Sequence, residues 1–173
     1  THGHEDHLGA LGHLYGRLDV PIYARQFTGA LVRLKLEDAG HSPSVVNIVG
    51  ARPEVTQVGP FTVQFVPVSH SIPESAALII DTPAGRVVHT GDFKLDGTPV
   101  VGDPFDPIAW HDIAAEGRGI KVLACDSTNI FSTHPGRSEA MLANPILDWV
   151  MAQKNMVVAT TFASNIARLK TLS

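Results

Sequence analysis

"THGHEDHLGALGHL" (residues 1–14) is the stretch that decides the class of this protein. Six consecutive positions within it hold four potential metal ligands, His2, His4, Asp6 and His7. The apolar residues that follow recur at helical spacing and predict a helix over 6–17. A loop that leads into a helix can point several side chains at one spot, and zinc accepts neutral imidazole and carboxylate ligands. The pattern H-x-H-x-D-H therefore predicts a metal site rather than a polar helix cap with scattered surface histidines.

Two later segments supply further candidate ligands at the ends of predicted strands. In "VPVSHSIPES" (66–75), His70 follows an apolar strand and precedes a Ser/Pro turn. In "RVVHTGDFK" (86–94), Asp92 ends a second strand at a turn that contains glycine. Strand ends at one edge of a sheet can converge on a common site. Taken singly, His70 is equally a hydrogen-bonded turn histidine, and Asp92 is equally a turn-forming aspartate.

The composition limits the other functional classes. The chain has 173 residues, of which 44% are hydrophobic, so it can bury a sizeable core. Its 13 basic and 17 acidic residues give a net charge of −4, so binding to nucleic acid would need a local patch or metal ions. The single cysteine, Cys125, excludes an intramolecular disulfide and fits a reducing, cytoplasmic location. No apolar run is long enough to predict a membrane span.

Alternating strands and helices predict a mixed α/β chain. Predicted strands cover 20–24, 45–49, 54–58, 61–68, 75–81, 86–92, 120–126 and 156–162. Predicted helices cover 6–17, 26–38 and 138–153, and a last helix begins at Ser164 or Asn165. The start of this last helix is either an N-cap or a phosphate contact. The helix over 26–38 is expected to face inward with Phe27, Ala30, Leu31 and Leu34. Strand 120–126 is expected to be buried, with Cys125 in the core.

The motif series resembles that of the metallo-β-lactamase fold, in which H-x-H-x-D-H is followed by a lone histidine and then by Gly-Asp. Further segments narrow the resemblance to the β-CASP nucleases of this superfamily. "CDSTN" (125–129) is similar to the aspartate motif that opens the β-CASP insertion. Three more segments are similar to ribonuclease J, namely "GDFKLDGTPVVGDPFD" (91–106), "GRSEAM" (136–141) and "TTFASNIARLKTL" (160–172).

The resemblance implies an α/β fold of the αββα sandwich type. Residues 1–136 would form a portion of the metallo-β-lactamase domain, truncated at its N-terminus, and residues 137–173 would begin a β-CASP domain. A further histidine of the second metal site would come from a segment outside the 173 residues. On this count of ligands, we expect the chain alone to be a poor nuclease.

The resemblance also assigns roles to the candidate residues. The six implied metal ligands divide into His2, His4 and His70 for one zinc ion, Asp6 and His7 for a second, and Asp92 as the bridge. Asp6, Asp92 and Asp126 are the implied catalytic residues. Asp126 would orient a ligand histidine or assist proton transfer, although a strand-end aspartate can equally cap the turn that follows it. The remaining histidines, His13, His41, His89, His111 and His134, are expected to be structural or surface residues.

The function implied is a zinc-dependent ribonuclease that hydrolyses phosphodiester bonds of single-stranded RNA through a water activated by two metal ions. Manganese is an alternative metal, and the whole protein is expected to be a homo-oligomer without membrane attachment. Two other functions stay open. One is a small-molecule hydrolase of the same fold, acting on a lactam or thioester, and the other is an inactive fragment that binds metal.

Overall fold

A five-stranded sheet forms the centre of the computed structural model, which describes residues 1–117, 119–134 and 136–173. The strands are β1 (Ile22–Ala24), β2 (Val46–Ile48), β3 (Thr56–Val58), β4 (Phe61–Pro67), β5 (Ala76–Thr82), β6 (Gly85–His89) and β7 (Ile120–Ala124). The α-helices are α1 (Glu5–Leu8), α2 (Leu11–Leu18), α3 (Gln26–Asp38), α4 (Pro107–Ala115), α5 (Ala143–Met151) and α6 (Ile166–Leu172). Short 3₁₀ turns occupy Pro43–Val45 and Glu139–Leu142. The prediction of a mixed α/β chain is confirmed.

The order of the central sheet brings several strand ends to the same edge. The strands lie in the order β3-β4-β5-β6-β7, with antiparallel neighbours up to β6 and a parallel pair β6–β7. Strands β4, β6 and β7 therefore run in the same direction, because β4 and β6 are both antiparallel to the strand between them. The loops after these three strands leave from one edge of the sheet, and they carry His70, Asp92 and Asp126.

Apolar side chains cover both faces of this sheet, as the period of two in β5 requires. On one face Ile79 and Val88 pack with Ile113 of α4, and all three are fully buried. On the other face Phe65 packs with Ala76 and with Val49, which follows the short parallel pair β1–β2. The sheet is thus held between α4 on one side and the β1–α3–β2 unit on the other.

Helix α3 buries only part of the predicted face, since Phe27 and Leu31 are half-buried and Leu31 packs against the core. Its buried residues are Thr28, Gly29, Val32 and Leu36, whereas Leu34 is 57% exposed and Ala30 is exposed. The position of β2 explains the difference, because a Cβ placed on Gly29 would lie only 2.3 Å from the Cδ1 atom of Ile48. The glycine lets the helix approach the strand, and that approach fixes which face is buried.

Other predicted elements also differ from the structure. The helix over 6–17 is divided into α1 and α2, and the helix over 138–153 is a 3₁₀ turn followed by α5. Helix α4 was not predicted, although Asp106 caps it and Pro107 opens it, which is a standard signal for a helix start. No strand forms over 156–162, where Met156 and Phe162 are more than 80% exposed. A strand needs a pairing partner, and the described part of the chain offers none there.

Strand β7 forms where it is predicted, but it is exposed rather than buried. It pairs only with β6 among the described residues, and Val122 and Leu123 are 51% and 59% exposed. Cys125, which follows β7, is also exposed, so its expected place in the core is wrong. Within the described ranges, no helix is both long and apolar enough to span a membrane.

Candidate metal centre

The candidate ligands meet at the edge of the central sheet where β4 and β6 end. His70 lies three residues after β4, and Asp92 lies three residues after β6. The segment that carries His2 and His4 runs beside β5, because the carbonyl oxygen of Thr1 accepts a hydrogen bond of 3.0 Å from the N–H of Ala76. The backbone alone thus brings three distant parts of the sequence to one place.

Two glycines allow this close approach. A Cβ on Gly3, between His2 and His4, would lie 2.6 Å from the Cδ1 atom of Leu31. Gly91 has a φ of +58°, and a Cβ there would lie 3.0 Å from the carbonyl oxygen of Ala76. At Gly91 the backbone conformation would strain any side chain, and at Gly3 a Cβ would require the side chain of Leu31 to shift. These glycines set the backbone from which the neighbouring ligands project.

The first group of ligand atoms comes from the three histidines expected to share one zinc ion and from Asp92. The Nδ1 atom of His4 lies 3.1 Å from the Nε2 atom of His2 and 3.1 Å from the Nε2 atom of His70. The Oδ2 atom of Asp92 lies 3.7 Å from the Nε2 atom of His2 and 3.9 Å from that of His70. All four ligand atoms lie within 4.8 Å of one another.

The second group shares Asp92 with the first. The Nε2 atom of His7 lies 3.3 Å from the Oδ2 atom of Asp92 and 3.5 Å from the Oδ2 atom of Asp6. His7 and Asp6 project from the short helix α1, directly after the first histidine pair. This group is more open to solvent, since the side chain of Asp6 is 76% exposed while that of His2 is fully buried.

Burial keeps the inner histidines in the form that can bind a metal. Desolvation lowers the pKa of His2 to about 3, and the nearby imidazoles of His7, His70 and His4 act in the same direction. Desolvation also lowers the pKa of His70 to about 4, with His4 adding to the effect and Asp92 opposing it. Both rings are therefore neutral at pH 7, and each retains a nitrogen lone pair.

The donor set fits a divalent cation such as zinc. Zinc binds histidine nitrogen at about 2.0–2.1 Å in tetrahedral sites, which sets neighbouring ligand atoms about 3.3 Å apart. The two nitrogen pairs at 3.1 Å and the more distant carboxylate oxygen surround a volume of this size. Three ring nitrogens and one carboxylate oxygen thus face a common volume, which is the donor set that a cation placed between them would use.

Hydroxyl groups next to the ligands contact the other ring nitrogens. The Nδ1 atom of His2 lies 3.1 Å from the hydroxyl of Thr1, and the Nε2 atom of His4 lies 3.4 Å from the hydroxyl of Ser71. Such contacts orient a ligand ring. Sequence reasoning missed both residues, and the available signal was a hydroxyl residue directly beside a ligand histidine, as in "TH" and "HS".

Asp126 lies beside the centre and has hydrogen-bond partners of its own. Its Oδ1 atom accepts hydrogen bonds from the N–H of Thr128 at 2.9 Å and from the hydroxyl of Thr128 at 2.7 Å. These bonds, with a smaller contribution from the nearby His70, lower the pKa of Asp126. The Nδ1 atom of His70 is buried and has no hydrogen-bond partner among the described residues. Orientation of His70 by Asp126 therefore stays a prediction.

The five histidines not expected to bind metal lie outside both groups. His41 contacts the carbonyl oxygen of Gly12 at 3.1 Å, and His89 accepts a hydrogen bond from the N–H of Gly91 at 2.9 Å. His13, His111 and His134 are exposed. At the last helix, the structure shows an N-cap, because the side chain of Asn165 accepts a hydrogen bond from the N–H of Arg168.

Residues 1–156 match the family described as "Beta-lactamase superfamily domain". The chain belongs to the β-lactamase superfamily. Within the superfamily it is similar to proteins named ribonuclease J, with 37% identity over 173 residues to that of Sinorhizobium meliloti and 41% over 171 residues to that of Corynebacterium glutamicum. The ribonuclease J of Thermus thermophilus is 39% identical over 181 residues. These alignments include 98–100% of this chain, so the expected resemblance is confirmed.

The chain spans 30%, 23% and 31% of the lengths of these three relatives, in the same order. A solved structure titled "Crystal Structure of a Protein of Unknown Function from Enterococcus faecalis V583" has the same fold. Its TM-score is 0.61 at 20% identity, over 87% of this chain and 38% of that chain. The family match over residues 1–156 and this structural similarity together confirm the superfamily fold expected from the motifs.

Proposed function

We propose that this β-lactamase-superfamily chain is part of a metal-dependent ribonuclease that hydrolyses phosphodiester bonds of single-stranded RNA. One observation carries the proposal: two groups of ligand atoms, one inner and one outer, share the carboxylate of Asp92. A shared carboxylate can bridge a pair of neighbouring cations, and paired cations are common in enzymes that cleave phosphodiesters. The similarity to ribonuclease J supports RNA as the substrate.

Each ligand has a distinct task in this proposal. His2, His4 and His70 hold the inner ion, which we propose to be zinc, with manganese as the alternative. Asp6 and His7 hold the outer ion at the solvent-facing side. Ions bound there lower the pKa of a water molecule and offset the charge of a phosphate.

Asp92 and Asp126 complete the proposed catalytic set together with Asp6. The carboxylate of Asp92 keeps the two ligand groups at a fixed spacing, since its Oδ2 atom lies within 4 Å of His2, His7 and His70. Asp126 is ionised at neutral pH because its pKa lies below the ordinary value. It can therefore attract a proton but not donate one.

The surface beside the centre is suited to a nucleic acid strand. A cavity of about 770 Å³ lies there, lined by residues that include Phe93, Lys94, Asp126 and Arg137. Lys94 and Arg137 place two cations in a lining that also contains the carboxylates of Asp96 and Asp126. Cations of this kind contact phosphates, and an aromatic ring can stack on a base. The cavity therefore supports RNA over a small lactam or thioester.

The test compares substrates and variants side by side. The wild-type whole protein, of which this chain is a part, is incubated with a 5′-monophosphorylated single-stranded RNA, a chromogenic lactam and a thioester, with zinc or manganese added. We expect RNA cleavage alone, and Asp92→Asn should lower its rate by at least about 100-fold, because an amide cannot supply the shared negative charge. Asp103→Asn is the matched control, since Asp103 is an exposed aspartate in the loop after Asp92. Cleavage of the lactam or thioester alone would contradict RNA as the substrate.

Asp92→Asn activity within about tenfold of wild type would contradict the shared-carboxylate site. We also propose a cytoplasmic location and a homo-oligomeric whole protein, and light scattering on the purified whole protein tests the oligomer.

A further inference from the structure

Helix α3 begins without a capping side chain of its own. Its N-cap residue is Arg25, which has no hydrogen-bond acceptor in its side chain and makes no capping bond. The N–H groups of the first turn have no partner within a helix and need an acceptor from elsewhere. The Oε2 atom of Glu74 accepts a hydrogen bond of 2.5 Å from the N–H of Phe27, the second residue of the helix. Glu74 therefore caps this helix from 47 residues away in the sequence.

Glu74 has a backbone conformation that is energetically unfavourable for a residue with a side chain. Its φ is +57°, in the left-handed region where glycine is the favoured residue. A glutamate at such a position costs free energy that a glycine would not, so strain of this kind points to a role for the side chain. The carboxylate also faces a favourable environment, because the helix N-terminus is partly positive and the guanidinium of Arg25 lies 3.6 Å away.

Glu74 belongs to the loop that carries His70. The base of this loop is closed by a hydrogen bond of 3.0 Å from the N–H of Val68 to the carbonyl oxygen of Ser75. Inside it, the hydroxyl of Ser75 donates to the carbonyl oxygen of Ile72 at 3.3 Å. The loop is therefore compact. Because only a few residues separate Glu74 from His70, a displacement of Glu74 would also displace His70.

The first turns of α3 also support the other two histidines. A Cβ on Gly3, between His2 and His4, would lie 2.6 Å from Leu31, 3.3 Å from Ile72 and 3.5 Å from Phe27. Leu31 and Phe27 belong to α3, whereas Ile72 belongs to the His70 loop. The two segments that carry the inner histidines thus rest against the same end of one helix, and the bond from Phe27 to Glu74 joins the loop to that end.

We propose that Glu74 is a positioning residue for the inner metal site, in which its carboxylate fixes the His70 loop against α3 and so sets His70 relative to His2 and His4. The inference rests on the metal centre proposed above. A residue that only capped the helix would stabilise α3 without affecting metal binding. A positioning residue must also determine how well the three imidazoles bind an ion.

Cobalt binding to the metal-free protein separates these two roles. Co²⁺ serves as the probe, because its visible absorption reports ligand geometry and its titration gives an affinity. Glu74→Ala should weaken Co²⁺ binding by about 10–100-fold, the usual effect of losing a residue that orients metal ligands. Glu74→Gln, whose amide oxygen can still accept the bond from Phe27, should retain most of the affinity. Glu54→Ala is the control, because Glu54 accepts a comparable bond of 2.8 Å from the N–H of Gly50 in another loop.

A second variant tests the cap by itself. Arg25→Ser added to Glu74→Ala gives α3 a local N-cap side chain, so the melting temperature should recover while the Co²⁺ affinity stays low. Hydrogen exchange of the Phe27 amide in the metal-free protein reports the contact without any metal. We expect fast exchange in Glu74→Ala and slow exchange in Glu74→Gln.

The outcomes distinguish this inference from the proposed function. If the wild type binds Co²⁺ and Glu74→Ala binds it within about twofold while the Phe27 amide exchanges fast, the positioning role is refuted and the metal centre stands. Full recovery of Co²⁺ affinity by Arg25→Ser would also refute it, because a local cap would then be sufficient. A wild type that binds no Co²⁺ would overturn the metal centre itself, and this inference with it.

Discussion

Replacing Gly91 by alanine should damage both the fold and the metal centre, whereas the same change at Gly59 should damage only the fold, and to a smaller extent. The two glycines have nearly the same backbone conformation, with φ values of +58° and +56°. Their surroundings differ. A Cβ at Gly91 would lie 3.0 Å from the carbonyl oxygen of Ala76 and 3.1 Å from the Cβ atom of Thr1, whereas nothing lies within 4 Å of a Cβ at Gly59.

The expected magnitudes follow from these two facts. Forcing alanine into the left-handed region costs about 1–2 kcal/mol, and the lower entropy of the unfolded chain returns about 0.4–1 kcal/mol. Gly59→Ala should therefore lose about 1 kcal/mol. Gly91→Ala has the same cost and, in addition, an overpacking cost of about 1–3 kcal/mol. Its total loss of stability should be about 2–4 kcal/mol, since rotation of a side chain cannot move the carbonyl oxygen of Ala76 or the Cβ atom of Thr1 out of contact.

The effect on the centre follows from what the new methyl group would push. Ala76 is hydrogen-bonded to Thr1, so displacing either residue moves the segment that carries His2 away from Asp92. Thermal unfolding of both variants measures the stability loss, at about 2–4 °C per kcal/mol for a chain of this length. Zinc titration of the same samples measures the metal affinity.

Equal losses of stability in the two variants would show that the close contacts around Gly91 add nothing to the free-energy cost of the substitution. Unchanged zinc affinity in a folded Gly91→Ala protein would show that the turn does not set the position of Asp92. Either result would refute the reasoning.

Three further predictions concern the ligands and an ion pair. His70→Ala should lose most of the bound zinc measured by plasma emission, while His111→Ala, a change at a side chain that is 84% exposed, should keep it; full zinc retention in His70→Ala would contradict its role. Zinc at about 100 times its dissociation constant should add about 2.7 kcal/mol to the free energy of unfolding of the wild type, and a melting temperature unaffected by zinc would contradict a specific site. Arg86 hydrogen-bonds Asp81 and holds the pKa of that carboxyl below its ordinary value. The stability that this ion pair contributes is therefore present above about pH 4, and it disappears as the pH falls through the lowered pKa of Asp81. The difference in melting temperature between wild type and Asp81→Asn should therefore shrink at low pH, and a constant difference would contradict it.

The sequence predicted the convergence of the ligands because local patterns determine strand ends. Alternating apolar residues located the strands before His70 and Asp92, and turn residues located their ends. The sheet order then required only short antiparallel connections for β4 and β6 to finish at the same edge.

Burial and pairing could not be predicted in the same way, since they depend on distant neighbours. Strand β7 is apolar enough to be a core strand, yet it lies at the edge of the sheet and is exposed. The segment 156–162 has β-forming residues but no partner strand among the described residues. The long-range bond between Glu74 and Phe27 likewise joins two residues that nothing in their local sequence connects.

The spacing of the ligands along the chain bears on how the protein is made. Asp92 is translated 90 residues after His2 (92 − 2 = 90). At about 5–20 residues per second, the histidines of the first segment wait about 5–18 s before the shared carboxylate is synthesised. During this interval β5 and β6, which bring these segments together, are also incomplete. The full ligand set of the inner site therefore exists only after β5 and β6 have been synthesised, so complete coordination of an ion comes after these strands are made.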